Sequence, residues 1–346
     1  MIEDIKRFEQ RKQDHIQLAL MDENQAIDLQ SLDHIKLNHE ALPDLDFCEI
    51  NISTYRFNQK VATPFVVSSM TAGHEHAAKI NRHLLAACQQ QQWAMGVGSQ
   101  RRELNDPLAF QEWQALIKDY PDVDMYSNIG IAQLILTPID GIKRLIDNIQ
   151  AKALIVHLNP LQECIQPEGT PQFKGGFKAL ERCKRELALP IIVKETGCGF
   201  SEKTLKKLNE INIDVVDLSG GGGTHWGRIE GHRTGSDDVR QSAAHTFRNW
   251  GIDTLNSLIN AQRIKPQFEI WASGGVRHGL DAARLLALGA SSIAFAKPLL
   301  SAALINQQAV IDVMKTITFE LKTAMFCTGS SHIDALRDAV CITPQI

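Results

Sequence analysis

Short apolar runs recur along the chain, and each ends in small or polar residues. They cover residues 61–70, 93–99, 124–130, 153–159, 190–196, 215–220, 269–275 and 291–297. Several are apolar without alternation, as in Ile191-Ile192-Val193 and Leu154-Ile155-Val156. Strands buried on both faces of a parallel sheet have this pattern. Between the runs lie segments of helical period. Residues 77–92 repeat apolar positions at Ile80, Leu84 and Cys88, and residues 140–149 do so at Ile142, Leu145, Ile146 and Ile149. Ser201 stands where an N-cap would open a helix over 202–209, and Gly289 where a stop would close one over 280–288. Eight strand–helix units predict an α/β fold of the (β/α)₈ TIM-barrel class. A doubly wound open sheet is the alternative, but no G-x-G-x-x-G follows the first strand.

Two segments fall outside the repeat. Residues 1–60 form a polar prelude carrying Arg11, Lys12 and His15, ahead of a barrel over 61–346 in a single domain. Residues 221–252 form a long excursion after the sixth strand. A loop of that length in a compact domain is usually functional, and in a barrel it lies at the chemical end.

Composition narrows the classes. The 346 residues are 44% hydrophobic and 22% charged, which excludes wholesale disorder and fibrous architecture. A formal net charge of −4 argues against a nucleic-acid surface, so any anionic ligand must be held by a local basic cluster. The seven cysteines are odd in number and show no C-x-x-C spacing, which fits a reducing compartment. The opening MIEDIKRFEQRKQDHIQ lacks the apolar core of a signal peptide, and no apolar stretch of about 18 residues occurs. A cytoplasmic protein with no membrane partner is expected.

Polar groups gather at every strand end: Ser68-Ser69-Met70-Thr71, Ser99-Gln100-Arg101, Ser127-Asn128, His157 with Asn159, Lys194-Glu195, Ser219 with Thr224, Gly274-Gly275 with Arg277, and Ala296-Lys297. Gly274-Gly275 and Ala296-Lys297, after strands seven and eight, suit a phosphate bound by loop amides and a helix N-terminus, although glycines also serve tight turns. Lys194 ends an apolar strand and needs an anionic partner, either a cofactor or a carboxylate such as Glu195. Arg11, Lys12, His15 and Arg101 together would clamp a second phosphate group; Arg11 and Lys12 taken alone would be a solvated helix face. Glu163, near His157 and Gln162, suits Mg²⁺, which takes one carboxylate, waters and substrate phosphate oxygens. Cys198, in the loop after strand five, is expected to be inert.

The segments RKQDH, SSMTAGHE, GVGSQR, SNIG, HLNPLQE, IQPEG, VKETGCG, DLSGGGGTHW, ASGGVR and FAKP run from about residue 11 to residue 298. In that order the chain resembles the type 2 isopentenyl-diphosphate Δ-isomerases. The resemblance implies a cytosolic FMN-binding barrel, a homotetramer or larger. It implies that isopentenyl and dimethylallyl diphosphate interconvert, with reduced FMN as the acid/base group, Mg²⁺, and NADPH or NADH as reductant. Met70, Thr71, Ala72, Ser99, Asn128 and Lys194 would line the flavin. Ser219, Thr224, Gly275, Val276, Arg277, Ala296 and Lys297 would hold its polar edge, ribityl chain and phosphate. Arg11, Lys12, Ser99, Gln100 and Arg101 would grip the substrate diphosphate. His157, Asn159 and Gln162 would sit at the substrate, with Gln162 and His157 in the catalytic role, and Glu163 would bind Mg²⁺. Ala72 stands where the family more often has glycine, and Thr224-His225-Trp226 is one of several variants of its loop. An FMN-dependent 2-hydroxy-acid dehydrogenase or oxidase is the rival. It would need a histidine base and an arginine clamp; His225, His232 and Arg228 lie in the excursion without that family's histidine-glycine-arginine pattern. A non-catalytic flavin sensor would need an output surface or an appended domain.

Overall fold

The computed structural model describes residues 2–70, 75–235 and 238–342. Eight parallel strands close into a barrel: β1 (Phe65–Val67), β2 (Ala94–Gly96), β3 (Met125–Gly130), β4 (Ala153–Leu158), β5 (Ile191–Glu195), β6 (Val215–Asp217), β7 (Glu269–Ala272) and β8 (Ser292–Phe295). The sheet runs in chain order and shuts where β8 pairs with β1. Each strand lies within its apolar run, and most stop short of its end, where the polar residues serve the cavity rather than the ladder.

The absence of alternation has a direct cause. One set of side chains points into the barrel and the other into the helical shell, and both are apolar. Val66, Ala94, Tyr126, Ala153, Ile155, Ile192, Val215, Trp271 and Ala294 form one buried cluster, with at least one residue from every strand. Their neighbours Phe65, Val67, Met95, Leu154, Val156, Ile191, Val193, Val216 and Ile293 pack outward.

The run over 61–70 is not one strand. Its start belongs to an antiparallel hairpin, Thr54–Arg56 with Gln59–Val61, and Pro64, which has no N–H to donate, separates it from β1. Phe57 and Asn58 both take positive φ (51° and 61°) at the hairpin tip, the type I′ geometry that matches strand twist. The tip plugs the N-terminal end of the barrel. Phe57 packs on Tyr126 and Trp271. The buried Arg56 donates to the Tyr126 hydroxyl, Ser292 Oγ and the carbonyls of Thr63 and Phe65. Its guanidinium also lies 5.6 Å from the Trp271 ring, so the cation is satisfied with no carboxylate at ion-pair distance among the described residues. With that end sealed, a ligand enters from the C-terminal end.

The helices follow their caps. Ser201 Oγ accepts from Thr204 N ahead of Glu202–Glu210, and Asp106 accepts from Leu108 N ahead of Pro107–Asp119. The prelude begins with the helix Ile2–Leu20 and then crosses the C-terminal face. Ala26 N donates to Gly223 O at 2.7 Å, His225 N to Asn24 O at 2.8 Å, and Gln30 Nε2 to Gly275 O at 2.7 Å. The far end of the described chain returns to the prelude, where Val340–Ile342 pairs with Lys36–Leu37.

Candidate active site

A cavity of about 550 Å³ opens at the C-terminal ends of the strands, a size typical of small-molecule sites. Its floor follows from strand period. Asn128, His157, Lys194, Asp217 and Ser273 each lie two residues beyond a member of the inner apolar cluster, so each points up the same barrel axis.

Lys194 carries the floor's charge. Its Nζ donates to Ser219 Oγ at 2.9 Å, Glu195 O at 3.0 Å and Ser273 Oγ at 3.3 Å, and lies 3.3 Å from Asp217 Oδ2. Ser273 Oγ donates to the other oxygen of Asp217 at 2.6 Å. The carboxylate partner is therefore Asp217. The side chain of Glu195 turns to the opposite face and accepts from the amides of Thr196, Gly197, Cys198 and Gly199. Burial pushes the Glu195 carboxyl up to about 7, even with those amides around it.

His157 is held neutral. Burial, with Lys12 and Lys194 nearby, pushes its pKa down to about 3. Asn128 Nδ2 donates to Val97 O, so its Oδ1 faces His157 Nδ1 at 2.9 Å. Nδ1 carries the proton in this arrangement, and Nε2 is left as an acceptor.

The wall beyond β4 carries a second network. Glu230, on the helix Trp226–Arg233 of the excursion, is fully buried. It accepts from Gln162 Nε2 at 2.7 Å and from Arg233 at 2.6 Å, and lies 2.9 Å from His15 Nε2. Burial opposes its charge, but these partners outweigh burial and hold its carboxyl down to about 2. Gln162 Oε1 accepts from Asn159 Nδ2 at 3.0 Å. Both ends of the Gln162 amide are thus fixed. Glu163 accepts from Asn159 Nδ2 at 3.0 Å and, on its other oxygen, from the amide of Thr170 at 2.5 Å and its hydroxyl at 3.1 Å. Among the described residues no group of three His, Cys, Asp or Glu converges as a metal cage.

At the other end of the cavity, backbone stacks on backbone. Gly274 (φ +90°) presses on Gly220, and a Cβ on Gly223 would lie 2.7 Å from Gly275 N. Only glycine allows this approach. The adjacent helix Lys297–Ile305 begins at Ala296 with no side-chain cap; Pro298 has no N–H and Leu299 N donates to Ala296 O, so its first turn offers the Lys297 amide. Ser69, in the cavity wall, has a buried hydroxyl with no partner. A glycine cradle with an uncapped helix at one end, and the Lys194 ammonium at the other, fits the phosphate and polar ring edge of FMN.

The structure brings together nearly all the sequence candidates. Arg11, Lys12, Met70, Ser99, Arg101, Asn128, His157, Asn159, Gln162, Glu163, Lys194, Ser219, Thr224, Gly275, Val276, Arg277, Ala296 and Lys297 all line the cavity. Arg11 and Lys12 therefore do not form a solvated helix face. Gln100 lies below the wall, fully buried, with Oε1 accepting from Ser127 Oγ and Asn128 N, so it buttresses β3. The Arg277 guanidinium is engaged by Asp33 and Asp281, so its contribution to the cavity comes from its backbone and stem. Lys297 Nζ reaches Asp22 at 3.1 Å. Thr71 and Ala72 lie outside the described residues. Burial and Glu195 push the Cys198 thiol up, away from the thiolate form. The residues that would serve a 2-hydroxy-acid enzyme are committed elsewhere: His225 caps a helix, and Arg228 binds the carbonyls of Glu23, Gln25 and Arg248. Ser273 is among the polar groups at the end of the seventh strand; Asp217 and Glu230 escaped the sequence reading. Strand period would have found Asp217; Glu230 sits on an excursion helix with no such signal.

Residues 156–343 match the family model described as FMN-dependent dehydrogenase. Among solved structures, a flavocytochrome b2 variant with sulfite bound is 18% identical with a TM-score of 0.65, covering 99% of this chain and 89% of that one. A mandelate oxidase variant is 14% identical with a TM-score of 0.64, covering 96% and 97%; these two share the fold. The isopentenyl-diphosphate delta-isomerase of Legionella pneumophila strain Corby is 59% identical over 341 residues, covering 99% of this chain and all of that one. That of Bdellovibrio bacteriovorus is 50% identical, covering 97% and 98%, and that of Pseudescherichia vulneris 39%, covering 96% of each. With a flavin-shaped barrel and full-length relatives of this similarity, the chain belongs to the type 2, FMN-dependent isopentenyl-diphosphate delta-isomerase family.

Proposed function

We propose that this enzyme interconverts isopentenyl diphosphate and dimethylallyl diphosphate on reduced FMN, with Mg²⁺ as metal and NAD(P)H as reductant. The observation that carries this reading is the presence of two separate anion sites in one cavity. The Gly223–Gly275 cradle takes the FMN phosphate. Arg11, Lys12 and Arg101 form a basic rim on the other side, matched to a diphosphate.

The double-bond shift adds a proton at one carbon and removes one at another, with no net redox change. Reduced FMN, when bound, supplies an electron-rich acid/base group beside the alkene. The side chains provide orientation. Burial, with Lys12 and Lys194 nearby, keeps His157 neutral and Asn128 fixes its tautomer, so no imidazolium stands on the floor to repel the cation-like centre. Gln162, fixed between Asn159 and Glu230, faces the substrate in one orientation. Glu163 would be the carboxylate that holds Mg²⁺, which would help to neutralise the diphosphate; a carboxylate has lone pairs to spare beyond Asn159 and Thr170. A cytoplasmic homotetramer or larger assembly completes the reading; no helix among the described residues is long and apolar enough to cross a membrane.

Proton NMR of isopentenyl diphosphate in D₂O tests it, with FMN and Mg²⁺, under anaerobic conditions, with and without NADPH. Dimethylallyl diphosphate and deuterium incorporation only with reductant support the assignment. A flavin-loaded protein that exchanges nothing in either tube removes it, and bleaching of the flavin by lactate or glycolate would install the 2-hydroxy-acid reading. Reconstitution with 5-deazaFMN tests the acid/base role: turnover left intact would assign the proton to a side chain.

A further inference from the structure

We infer that His225 is a positioning residue for this reaction: its neutral imidazole caps the helix that carries Trp226 and Glu230, and a second proton on the ring releases that cap. The inference rests on the isomerase reading for its kinetic consequence, and on hydrogen-bond geometry for the rest.

The helix Trp226–Arg233 has eight residues. A helix that short depends heavily on how its first free amides are satisfied. Serine, threonine, aspartate or asparagine usually accepts that bond. Here His225 does so from extended backbone (φ −109°, ψ 104°), with Nδ1 accepting from Arg228 N at 3.2 Å. The opposite nitrogen, Nε2, lies 3.2 Å from the Trp250 carbonyl, which can only accept. The proton therefore sits on Nε2, and Nδ1 is bare. The ring is a clasp between the start of this helix and the far end of the excursion.

The surroundings disfavour a second proton. His225 is 1% exposed. The groups that face it are Arg228 on its own helix, the Cys198 thiol, which shares the Trp250 carbonyl at 3.6 Å, and the prelude backbone at Asn24. No carboxylate among the described residues contacts the ring. Burial and Arg228 hold its pKa below the usual imidazole range. Protonation on Nδ1 would turn two donors against each other at the cap and place a charge beside Arg228.

The helix matters because of what it carries. Trp226 lines the cavity and meets the His15 ring edge-on at 5.1 Å. Glu230, one turn on, fixes both His15 and Gln162. A histidine cap thus couples proton concentration to the orientation of Gln162. The sign is acid-side: the cap is intact at neutral pH and is lost as pH falls.

The test compares the flavin-loaded wild type with His225→Asn, whose side-chain oxygen caps a helix but does not titrate in this range. At about pH 7.5 the variant should keep kcat/KM within about fivefold. The acid limb of its kcat/KM profile should move to lower pH, while KM at neutral pH stays close to the wild type. His225→Ala should lose activity across the whole range, because the cap is absent at every pH. Amide exchange over residues 226–233, corrected for intrinsic rate and taken at about pH 7.5 and about pH 4.5, reads the cap without substrate. Wild type should lose protection at the lower pH, and His225→Asn should not. Acid limbs that superimpose, or equal loss of protection in both proteins, would overturn the inference. A wild type with no isomerase turnover at any pH would instead remove the proposed function, and the exchange comparison would still decide the cap.

Discussion

The Glu230 carboxylate accepts a hydrogen bond from Gln162 Nε2 at 2.7 Å, across 68 positions of sequence. The same oxygen lies 2.9 Å from His15 Nε2. One buried anion thereby ties together the prelude, the loop after β4 and the excursion after β6. Replacing Glu230 with Gln puts a donor opposite either Gln162 or Arg233. We expect kcat to fall by about 10- to 100-fold, through loss of Gln162 orientation. Stability should drop by about 3 kcal/mol, as when one partner of a buried pair is removed. The Glu230 carboxyl is held down to about 2, below its unfolded value, so its stabilisation is present above that value and vanishes as pH falls from about 4.5 toward 2. Acid titration of the melting temperature should show that loss in the wild type and less of it in Glu230→Gln.

Asp217 is the anionic partner of Lys194 inside the barrel, and both are buried. Asp217→Asn leaves a buried ammonium without its counter-charge. The expected result is a loss of about 3 kcal/mol in thermal or urea unfolding, and about tenfold or weaker flavin retention, read as absorbance per chain. An unchanged melt with full flavin content would contradict the pairing.

Lys12 has its pKa pushed down to about 8 by burial, with Arg11 and Arg101 adding repulsion. It must be charged to grip a diphosphate. The kcat/KM profile should therefore fall on the basic side near pH 8, while kcat falls less, because the bound anion raises the ammonium's pKa. Lys12→Arg should carry the limb to about pH 9 or beyond, since guanidinium stays protonated.

The amide and hydroxyl of Thr170 both bond one oxygen of Glu163. Thr170→Val keeps the amide and removes the hydroxyl. Calorimetric titration of Mg²⁺ into the diphosphate-bound enzyme should show about 3- to 10-fold weaker binding, and Glu163→Gln about 10- to 100-fold. Equal Mg²⁺ affinities in all three proteins would take the metal away from Glu163.

Much of the site was legible because strand order and strand period are local properties. Lys194 announced itself as a cation at the end of an apolar run, and Gly274-Gly275 as a place of close backbone approach, which in the structure is to Gly220 and Gly222. The partners were less visible. The sequence put Glu195 forward for Lys194 because it is adjacent. In a strand, however, neighbours point to opposite faces, and Asp217 is the residue that shares the barrel interior. Gln100 read as a substrate ligand for its place beside Arg101, yet its side chain turns down to β3.

What the sequence determined by itself is the barrel, since eight doubly apolar runs separated by helical periods have few other ways to bury both faces. It also determined which end carries the chemistry, because the polar residues cluster on one side of each run. What only the tertiary structure decided is the pairing of groups far apart in the chain: Glu230 with Gln162 and His15, Asp217 with Lys194, Asp33 with Arg277, and the Phe57 hairpin with the barrel floor. Apart from Asp217 with Lys194, on neighbouring strands, and the hairpin at the opposite end, those pairings depend on how the prelude and the excursion fold back over the cavity. Hydrophobic period does not encode that return, because buried charges, backbone contacts and single apolar anchors such as Leu32 and Ile35 hold it rather than a long apolar stripe.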